Sequence, residues 1–302
     1  MREIIRITVS LTVSCLIAAL VMGSVFIITD KAKRHNEQLN IQQTMLGLLG
    51  YGKDTPAPSD LEFYTIYRYI IEDGEIKTLG YMVPVGAEGK DSYELVTIDL
   101  AGQFVDRISL DITPESASEP PERKSALKSV LKPPKKFVYA DATIIAERGD
   151  KRLAYLLPGE FPGFKTFIHV MLALDPTFTI IGLDITEHEE DPGLGGEIQE
   201  DYFKNQFKGK SFERTKNLTV VKEPLPDEYK KYLVAGKGEG LSKGIVDTIR
   251  TKYLDRDIYS LTGATISSKA VTNGVKNMIN KFAYRLNILD SVIERQHIPV
   301  AF

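Results

Sequence analysis

The sequence predicts an α+β protein in which an N-terminal transmembrane helix precedes an antiparallel sheet with a degenerate duplicated β unit. Three observations predict this class. An uncharged apolar run lies near the N-terminus, short β-rich segments occur twice at one offset, and a long amphipathic helical pattern follows near the C-terminus. With 302 residues, the chain is long enough for one large or two modest domains beyond an anchor.

Composition argues against several classes of function. The net charge of −3 gives no electrostatic reason to expect nucleic-acid binding. Cys15 is the single cysteine, so the chain by itself can form neither a disulfide nor a cysteine-ligated iron–sulfur cluster. The four histidines show no spacing typical of a zinc site. Any redox chemistry must therefore come from an organic cofactor or from a neighbouring subunit.

The first element is the apolar run over residues 7–29, which contains no charged residue. As a helix it would extend about 35 Å, enough to cross a hydrocarbon core of about 30 Å. A cleaved signal peptide is the alternative, but the run is too long and no cleavage-site pattern follows it. We therefore expect one uncleaved span. The flanking basic residues, two before it and three after it, only marginally favour a cytoplasmic position for the rest of the chain.

Beyond a predicted helix over about 36–50 and a linker marked by Pro56 and Pro58, the soluble part contains an internal repeat. The sequence Tyr-Met-Val-Pro at 81–84 recurs as Tyr-Leu-Leu-Pro at 155–158. A repeat at one fixed offset indicates a duplicated supersecondary unit, although chance similarity between β-rich segments is the alternative. Further matches at about this offset pair Asp73-Gly74 with Arg148-Gly149, Gly89 with Gly163, Phe104 with Phe178, and residues 110–113 with 183–186.

The two copies differ in the segments that come after them. Each copy is predicted to form short strands separated by turns, as over 167–174 and 178–185 in the second copy. After the first copy, residues 114–136 are rich in Pro, Ser, Glu and Lys, which predicts an exposed linker around a short helix. After the second copy comes a glycine-rich segment at 187–196, so we expect the chemistry to belong to that copy. We interpret the first copy, 63–113, as a degenerate duplicate used for spacing or docking.

The first segment suited to chemistry is the turn Pro192-Gly193-Leu194-Gly195-Gly196. Glycine tolerates positive φ and lets the backbone approach a flat ligand closely, and exposed N–H groups can donate to a cofactor. His188 and Glu190 stand just before the turn and are candidate neighbours of such a ligand. An ordinary glycine-rich turn, with a structural histidine and a solvated carboxylate beside it, is the alternative.

The second segment, residues 260–268, reads Ser-Leu-Thr-Gly-Ala-Thr-Ile-Ser-Ser and precedes a long amphipathic helix. We expect Ser267 or Ser268 to cap this helix, which places Thr265 at or just before its first turn. Unpaired backbone N–H groups and the positive end of the helix dipole favour a phosphate there, with Lys269 as a further candidate partner. A plain capped helix with small residues at its entry is the alternative. The predicted apolar positions of the helix are Val271, Val275, Met278, Ile279, Phe282, Leu286 and Leu289.

Together these segments resemble the FMN-binding domain of the G subunit of Rnf-type, ion-translocating ferredoxin–NAD oxidoreductases. The same domain occurs in the C subunit of sodium-translocating NADH–quinone reductases. The family pattern has an N-terminal span, a His-x-Glu-Thr-Pro-Gly-Leu-Gly turn and a later Ser/Thr-Gly-Ala-Thr sequence, and the resemblance covers the span and about residues 137–285. The matching residues are His188, Glu190, Pro192, Gly193, Leu194 and Gly195, then Phe203, Phe207, Gly209 and Lys210, and finally Thr262, Gly263, Ala264 and Thr265.

Two residues depart from the family pattern. Asp191 stands where the glycine turn usually has Thr. Tyr259 stands where the attachment sequence usually has Asp, while Asp255 and Asp257 lie close by. The second departure bears on how a modifying enzyme would recognise the site.

The resemblance implies a covalent cofactor. Thr265 would receive FMN through a phosphoester bond, and a separate magnesium-dependent flavin transferase would take the FMN from FAD and release AMP. Thr265 is then a modified acceptor, so no catalytic residue and no metal site are expected in the chain. The expected cofactor-binding residues are Thr262, Gly263, Ala264, Thr265, Ser267, Ser268, Lys269, His188, Glu190, Gly193, Leu194 and Gly195.

The implied role is that of an electron-carrying subunit in a membrane-bound, ion-translocating oxidoreductase, which is not catalytic alone. Its partners would be the other membrane subunits, the flavin transferase and the membrane, and not nucleic acid. The resemblance implies that the flavin domain lies outside the cytoplasmic membrane. We prefer this location to the cytoplasmic one, because the count of basic residues on the two sides of the span is nearly balanced. The quinone-reductase C subunit and a non-redox, membrane-tethered interaction module are the alternatives, and the turn that contains His188 favours the Rnf type.

The predicted domain organisation follows from the same features. The predicted parts are a membrane anchor at 1–35, a helix and linker at 36–62, the degenerate repeat unit at 63–113, a linker at 114–136, the FMN-binding domain at 137–285 and a C-terminal tail at 286–302.

Overall fold

The computed structural model describes residues 1–87, 90–149, 151–234 and 242–302, and it divides the chain into two compact units, 1–47 and 48–302. Helix α1 runs from Arg2 to Leu48, and its segment Arg2–Phe26 is long and apolar enough to cross a membrane, by length and composition. The predicted helix over about 36–50 is confirmed as far as Leu48, and it is continuous with the apolar run. The helix continues from the apolar run because no proline interrupts it and because the Lys, Ala and Arg residues between 29 and 36 are good helix formers.

The second unit is built on one eight-stranded antiparallel sheet with the order β4-β3-β2-β1-β5-β6-β7-β8. Its strands are β1 (Leu61–Asp73), β2 (Ile76–Ala87), β3 (Lys90–Asp99), β4 (Phe104–Leu110), β5 (Lys136–Arg148), β6 (Lys151–Pro162), β7 (Phe167–Leu174) and β8 (Ile180–Glu187). The remaining elements are α2 (Pro114–Ser118), α3 (Pro120–Val130), a 3-10 turn (Gly195–Gln199), α4 (Asp201–Lys204), α5 (Phe212–Lys216), β9 (Val220–Val221), α6 (Asp227–Val234), α7 (Lys243–Tyr253), β10 (Ile258–Tyr259) and α8 (Thr265–Arg295). The predicted α+β class is confirmed.

The sheet consists of two four-stranded meanders, β1–β4 and β5–β8, which the chain builds in the same order. In both, the first turn contains a glycine with positive φ, 62° at Gly74 and 56° at Gly149. Residues with a side chain rarely adopt such angles, which explains why both copies carry glycine there. The predicted duplicated β unit is confirmed; Gly89, one of the repeat matches, lies outside the described residues.

The first copy forms half of the eight-stranded sheet. Strands β1 and β5 pair from Leu61 opposite Arg148 to Glu72 opposite Lys136. Because the two meanders share this long central pairing, side chains from both contribute to one hydrophobic core on the same face of the sheet. The interpretation of the first copy as a duplicate used for spacing or docking stays a prediction.

The strand predicted over 167–174 is confirmed as β7, whereas the next strand begins at Ile180 and not at Phe178. The side chain of Asp175 accepts hydrogen bonds from two backbone N–H groups of the intervening turn, at 2.8 and 2.9 Å. This turn places Phe178 in the left-handed region, with a φ of 63°. A residue in that conformation cannot continue a strand, so β8 starts two residues later.

Helix α8 packs its apolar stripe against one face of the sheet. Six of the seven predicted apolar positions are at most 4% exposed, and Met278 is partly buried. The ring of Phe282 contacts Tyr155 of β6, with 5.2 Å between the ring centres. Arg285, further along the helix, reaches Asp141 of β5, with Nη1 2.8 Å from the carboxylate. The helical spacing seen in the sequence is thus confirmed, and these contacts hold α8 against β5 and β6 of the second meander.

Segment 114–136 is not the exposed linker that its composition predicts. It contains α2 and α3, and Ala117, Leu127 and Leu131 are buried against strands of the first copy. Arg123 is also buried and lies 4.0 Å from the ring centre of Tyr67, a favourable cation–π geometry. A few well-placed side chains thus hold two largely polar helices on the sheet face opposite α8.

Gly274 of α8 faces the ring of Phe161 so closely that an added Cβ would overlap ring atoms. We expect Gly274→Ala to lower the free energy of unfolding by about 1–3 kcal/mol, although alanine is the better helix former, because the overlap pushes α8 off the sheet. Urea unfolding measures this loss. Gly244→Ala, in a helical site where a Cβ meets open space, is the matched control and should be neutral or stabilising. Equal losses in the two variants would contradict the packing argument.

Candidate functional site

The candidate site begins at the entrance of α8. Thr265 is the first helical residue and is half-buried, and Ala264 before it provides no side-chain cap. Gly263 has a φ of 75°, which turns the chain sharply into the helix. The expected position of Thr265 at the first turn is confirmed.

Ser267 and Ser268 do not cap the helix, so that prediction is wrong. Both lie inside the first turn and are buried. The Ser268 hydroxyl accepts a hydrogen bond from the Leu261 N–H group and donates one to the Ala264 carbonyl, each at 3.0 Å. The Ser267 hydroxyl donates to the carboxylate of Glu190. The two serines therefore fix the chain that enters α8 instead of satisfying its first N–H groups.

Glu190 is buried, with 5% of its surface exposed, and is not a solvated carboxylate. Its Oε1 accepts hydrogen bonds from the N–H groups of Phe164 at 2.7 Å and Lys165 at 3.2 Å, in the turn between β6 and β7. Its Oε2 accepts the hydrogen bond from Ser267. Glu190 thus joins the β6–β7 turn to the start of α8.

The glycine turn lies against the same helix entrance. Gly193 has a φ of 74°, and the Asp191 carbonyl accepts hydrogen bonds from the N–H groups of Leu194 and Gly196, at 3.1 and 2.9 Å. A Cβ on Gly263 would lie 2.9 Å from Leu194 Cδ2, so the turn and the attachment sequence are in contact. The structure therefore brings together the two motifs that the sequence singled out.

The other predicted residues lie at the edge of this arrangement. His188 is half-buried; its Nδ1 accepts from the Glu190 N–H group at 3.2 Å, and its Nε2 lies 3.3 Å from Gln199 Oε1. Thr262 and Lys269 are exposed on the helix entrance, and Lys269 follows Thr265 by about one helical turn. His188 thus supports the glycine turn, while Lys269 is free to approach an anion at Thr265.

The two departures from the family pattern have structural partners. Asp191 forms an ion pair with Lys165 of the β6–β7 turn, at 2.5 Å. Tyr259 is buried among other tyrosines, and its N–H group donates to Gln206 Oε1 at 2.8 Å. Asp257, near the expected aspartate position, instead accepts from Arg214 at 2.6 Å.

Sequence reasoning missed the β6–β7 turn because its contribution comes from backbone N–H groups.

Several residues between the two motifs are buried and pack next to the site. Phe203 and Phe207 are fully buried and contact each other, with ring centres 5.8 Å apart. Lys210 is 2% exposed, and its Nζ donates to the carbonyls of Leu254 and Arg256. Burial lowers the pKa of Lys210 to about 8. These residues connect the glycine turn to the chain that leads into β10 and α8.

Two solved structures are similar to this chain. NqrC from Shewanella oneidensis is 18% identical with a TM-score of 0.34, and the match covers 49% of this chain and 59% of that one. The C subunit of a Na(+)-translocating NADH-quinone reductase from Parabacteroides distasonis is 18% identical with a TM-score of 0.32, covering 64% of this chain and 74% of that one.

Residues 163–280, from the β6–β7 turn into α8, match the family model for the FMN-binding domain. The G subunit of a proton-translocating ferredoxin:NAD(+) oxidoreductase complex from Clostridium ljungdahlii is 33% identical over 136 residues, which cover 45% of this chain and 57% of the relative. The G subunit of an ion-translocating oxidoreductase complex from Salmonella typhi is 29% identical over 136 residues, covering 44% and 52%. The chain thus spans little more than half the length of these curated relatives. Over residues 163–280 the chain is similar to the FMN-binding domain family, and the curated relatives that it resembles are G subunits of ion-translocating oxidoreductase complexes.

Proposed function

We propose that this chain is a membrane-anchored, electron-carrying subunit of an ion-translocating ferredoxin–NAD oxidoreductase, and that it holds one FMN through a phosphoester on Thr265. The observation that supports this most strongly is the contact between the two motifs. Leu194 of the glycine turn lies against Gly263, and Glu190 accepts a hydrogen bond from Ser267. Two motifs that are distant in sequence therefore meet next to Thr265 in the chain.

The entrance of α8 fits a phosphodiester. Because Ala264 supplies no side-chain cap, the first N–H groups of this 31-residue helix can donate to phosphate oxygens. A phosphodiester keeps one negative charge, which the helix end would stabilise by ~0.3–1 kcal/mol. The exposed ammonium group of Lys269 would add a positive charge one turn later. These are features that a phosphate-linked cofactor requires.

Only some of the other residues around Thr265 are placed to hold the rest of the cofactor. When bound, FMN supplies the electron chemistry, while the protein sets its position and surroundings. Leu194 and Ile266, which are 47% and 59% exposed, offer apolar contact area for a flat ring beside Thr265. Backbone N–H groups of Gly193 and Gly195, together with Thr262, are the candidate polar contacts.

The proposal extends to partners and location. The relatives are named as subunits of multi-subunit oxidoreductase complexes. We extend this to the present chain: other membrane subunits would exchange electrons with it, and a separate flavin transferase would load Thr265. Helix α1 would anchor it in the cytoplasmic membrane, with the flavin domain on the outer side. Coupling to ion movement would then belong to the complex and not to this subunit alone.

A direct test is to produce the full chain together with a flavin transferase, and then to denature and wash it. We expect a band with ultraviolet fluorescence on a denaturing gel. After digestion, the peptide that contains Thr265 should be heavier by one FMN less one water. The same chain made without the transferase is the control. A dark band with Thr265 unmodified would contradict the proposal and favour a non-redox interaction module.

A further inference from the structure

Glu190 is a buried carboxylate that connects three segments around the start of α8. Its oxygens accept hydrogen bonds from two N–H groups of the β6–β7 turn, those of Phe164 and Lys165, and from the Ser267 hydroxyl in the first turn of α8. Its own backbone N–H group donates to His188 Nδ1 at 3.2 Å. Removing this side chain would therefore release contacts in two segments at once.

The carboxylate is enclosed on two sides by glycines. A Cβ at Gly163 would overlap Oε1, and a Cβ at Gly195 would lie 2.5 Å from Oε2. The glycines thus allow the backbone to close around Glu190 on both sides. Because the carboxylate faces protein donors and is 5% exposed, this packing argues against a direct contact between Glu190 and a cofactor.

We propose that Glu190 is a positioning residue, which sets the orientation of Thr265 through Ser267 and the β6–β7 turn. This inference rests on the proposed function, since the orientation of Thr265 matters for flavin attachment. Hydrogen bonds to an ionised carboxylate are about twice as strong as neutral ones, so they hold their donors firmly. The ion pair of Lys165 with Asp191 joins the same turn to the glycine turn. Both of its side chains are more than 40% exposed, so it contributes less.

The first measurement is the rate at which Thr265 gains FMN, followed by intact mass in full chains made with the transferase. Glu190→Gln keeps an acceptor for the β6–β7 turn and a donor toward Ser267, so attachment should stay within about threefold of the unchanged protein. Glu190→Ala removes both, and we expect attachment at least about tenfold slower. Ser267→Ala removes one contact, so its rate of FMN attachment should lie between those of Glu190→Gln and Glu190→Ala.

The second measurement does not depend on flavin. In a Thr265→Ala background, which lacks the acceptor hydroxyl, amide hydrogen exchange reports the order of the segments themselves. Glu190→Ala should speed exchange at the N–H groups of Phe164 and Lys165 and in the first turn of α8, whereas Glu190→Gln should not. Arg123→Met, which disturbs a buried charge under the opposite face of the sheet, is the control for general destabilisation.

The two proposals fail in different ways. If the unchanged chain gains no FMN while Glu190→Ala still speeds exchange at the helix entrance, the proposed function fails and the positioning role stands. If the unchanged chain is loaded and Glu190→Ala is loaded equally fast, the positioning role is overturned. It is also overturned if Glu190→Gln slows attachment as much as Glu190→Ala, or if Arg123→Met slows it by the same factor.

Discussion

A Thr265→Ala chain is expected to carry no covalently bound flavin, because a phosphoester needs a side-chain hydroxyl and alanine has none. Alanine is a good helix former and Thr265 is half-buried at the first residue of α8, so the fold should persist. Thr265→Ser retains the hydroxyl and loses the methyl group that restricts its rotation, so attachment should continue at a lower rate. Mass spectrometry of the denatured chains measures the loaded fraction.

Thr262→Ala is the matched control for this experiment. Thr262 is a second threonine of the attachment sequence, three residues before Thr265, and it is exposed. We expect Thr262→Ala to keep its covalent flavin, since the hydroxyl at 265 is still present. Flavin that stayed bound to Thr265→Ala after denaturation and washing would place the linkage elsewhere and refute the assignment.

Asp141→Ala should cause the largest loss of stability. The Asp141 carboxylate is bound by Arg68 of β1, at 2.9 and 2.5 Å, and by Arg285 of α8, at 2.8 Å. The three side chains are 32%, 15% and 22% exposed. Removing the carboxylate leaves two largely buried guanidinium groups without their negatively charged partner. We therefore expect the free energy of unfolding to fall by about 3 kcal/mol. Urea unfolding measures this change.

The dependence on pH provides a second check. Burial alone would raise the pKa of Asp141, but Arg68 and Arg285 outweigh it and hold the pKa below its ordinary value of 3.8. A carboxyl with a lowered pKa contributes its stability above the unfolded value, and that contribution is lost as the pH falls through the folded pKa. The difference in stability between the unchanged chain and Asp141→Asn should therefore be constant above about pH 5 and shrink below about pH 4.

Asp60→Ala is the control for this pair of experiments. Asp60 forms an ion pair with Arg148 at 3.0 Å, but both side chains are more than half exposed. An exposed pair of this kind is screened by water and contributes little to stability, so Asp60→Ala should be close to neutral. If Asp141→Ala lowered the free energy of unfolding no more than Asp60→Ala, the ion pairs between β1, β5 and α8 would not stabilise the fold as their geometry indicates.

Much of the candidate site could be predicted because its residues have a local signature. The spacing of apolar residues after Thr265 predicted α8. The glycines of the turn predicted the positive φ of Gly193 and the close approach of other atoms to Gly195 and Gly196. The duplicated unit was visible because turn glycines recur at one offset. The helix and the glycine turn depend on neighbours within a few positions of the chain.

The parts that could not be predicted depend on partners distant in sequence. The role of Glu190 comes from backbone N–H groups in a turn that precedes it by two strands, and an N–H group has no residue-type signature. The segment at 114–136 has the composition of a linker, yet a few buried residues such as Leu127 hold it on the sheet. The length of α1 was missed because a change from apolar to polar residues does not by itself end a helix.

The long pairing between β1 and β5 has a consequence for any fragment of this protein. A fragment that starts near residue 136, where the flavin-binding half was predicted to begin, would leave the thirteen-residue strand β5 with a free row of hydrogen-bonding groups. Such unprotected edges recruit strands from other molecules and promote aggregation. The first meander therefore protects the edge of β5 in the second meander, and the smallest soluble form of this protein should include both.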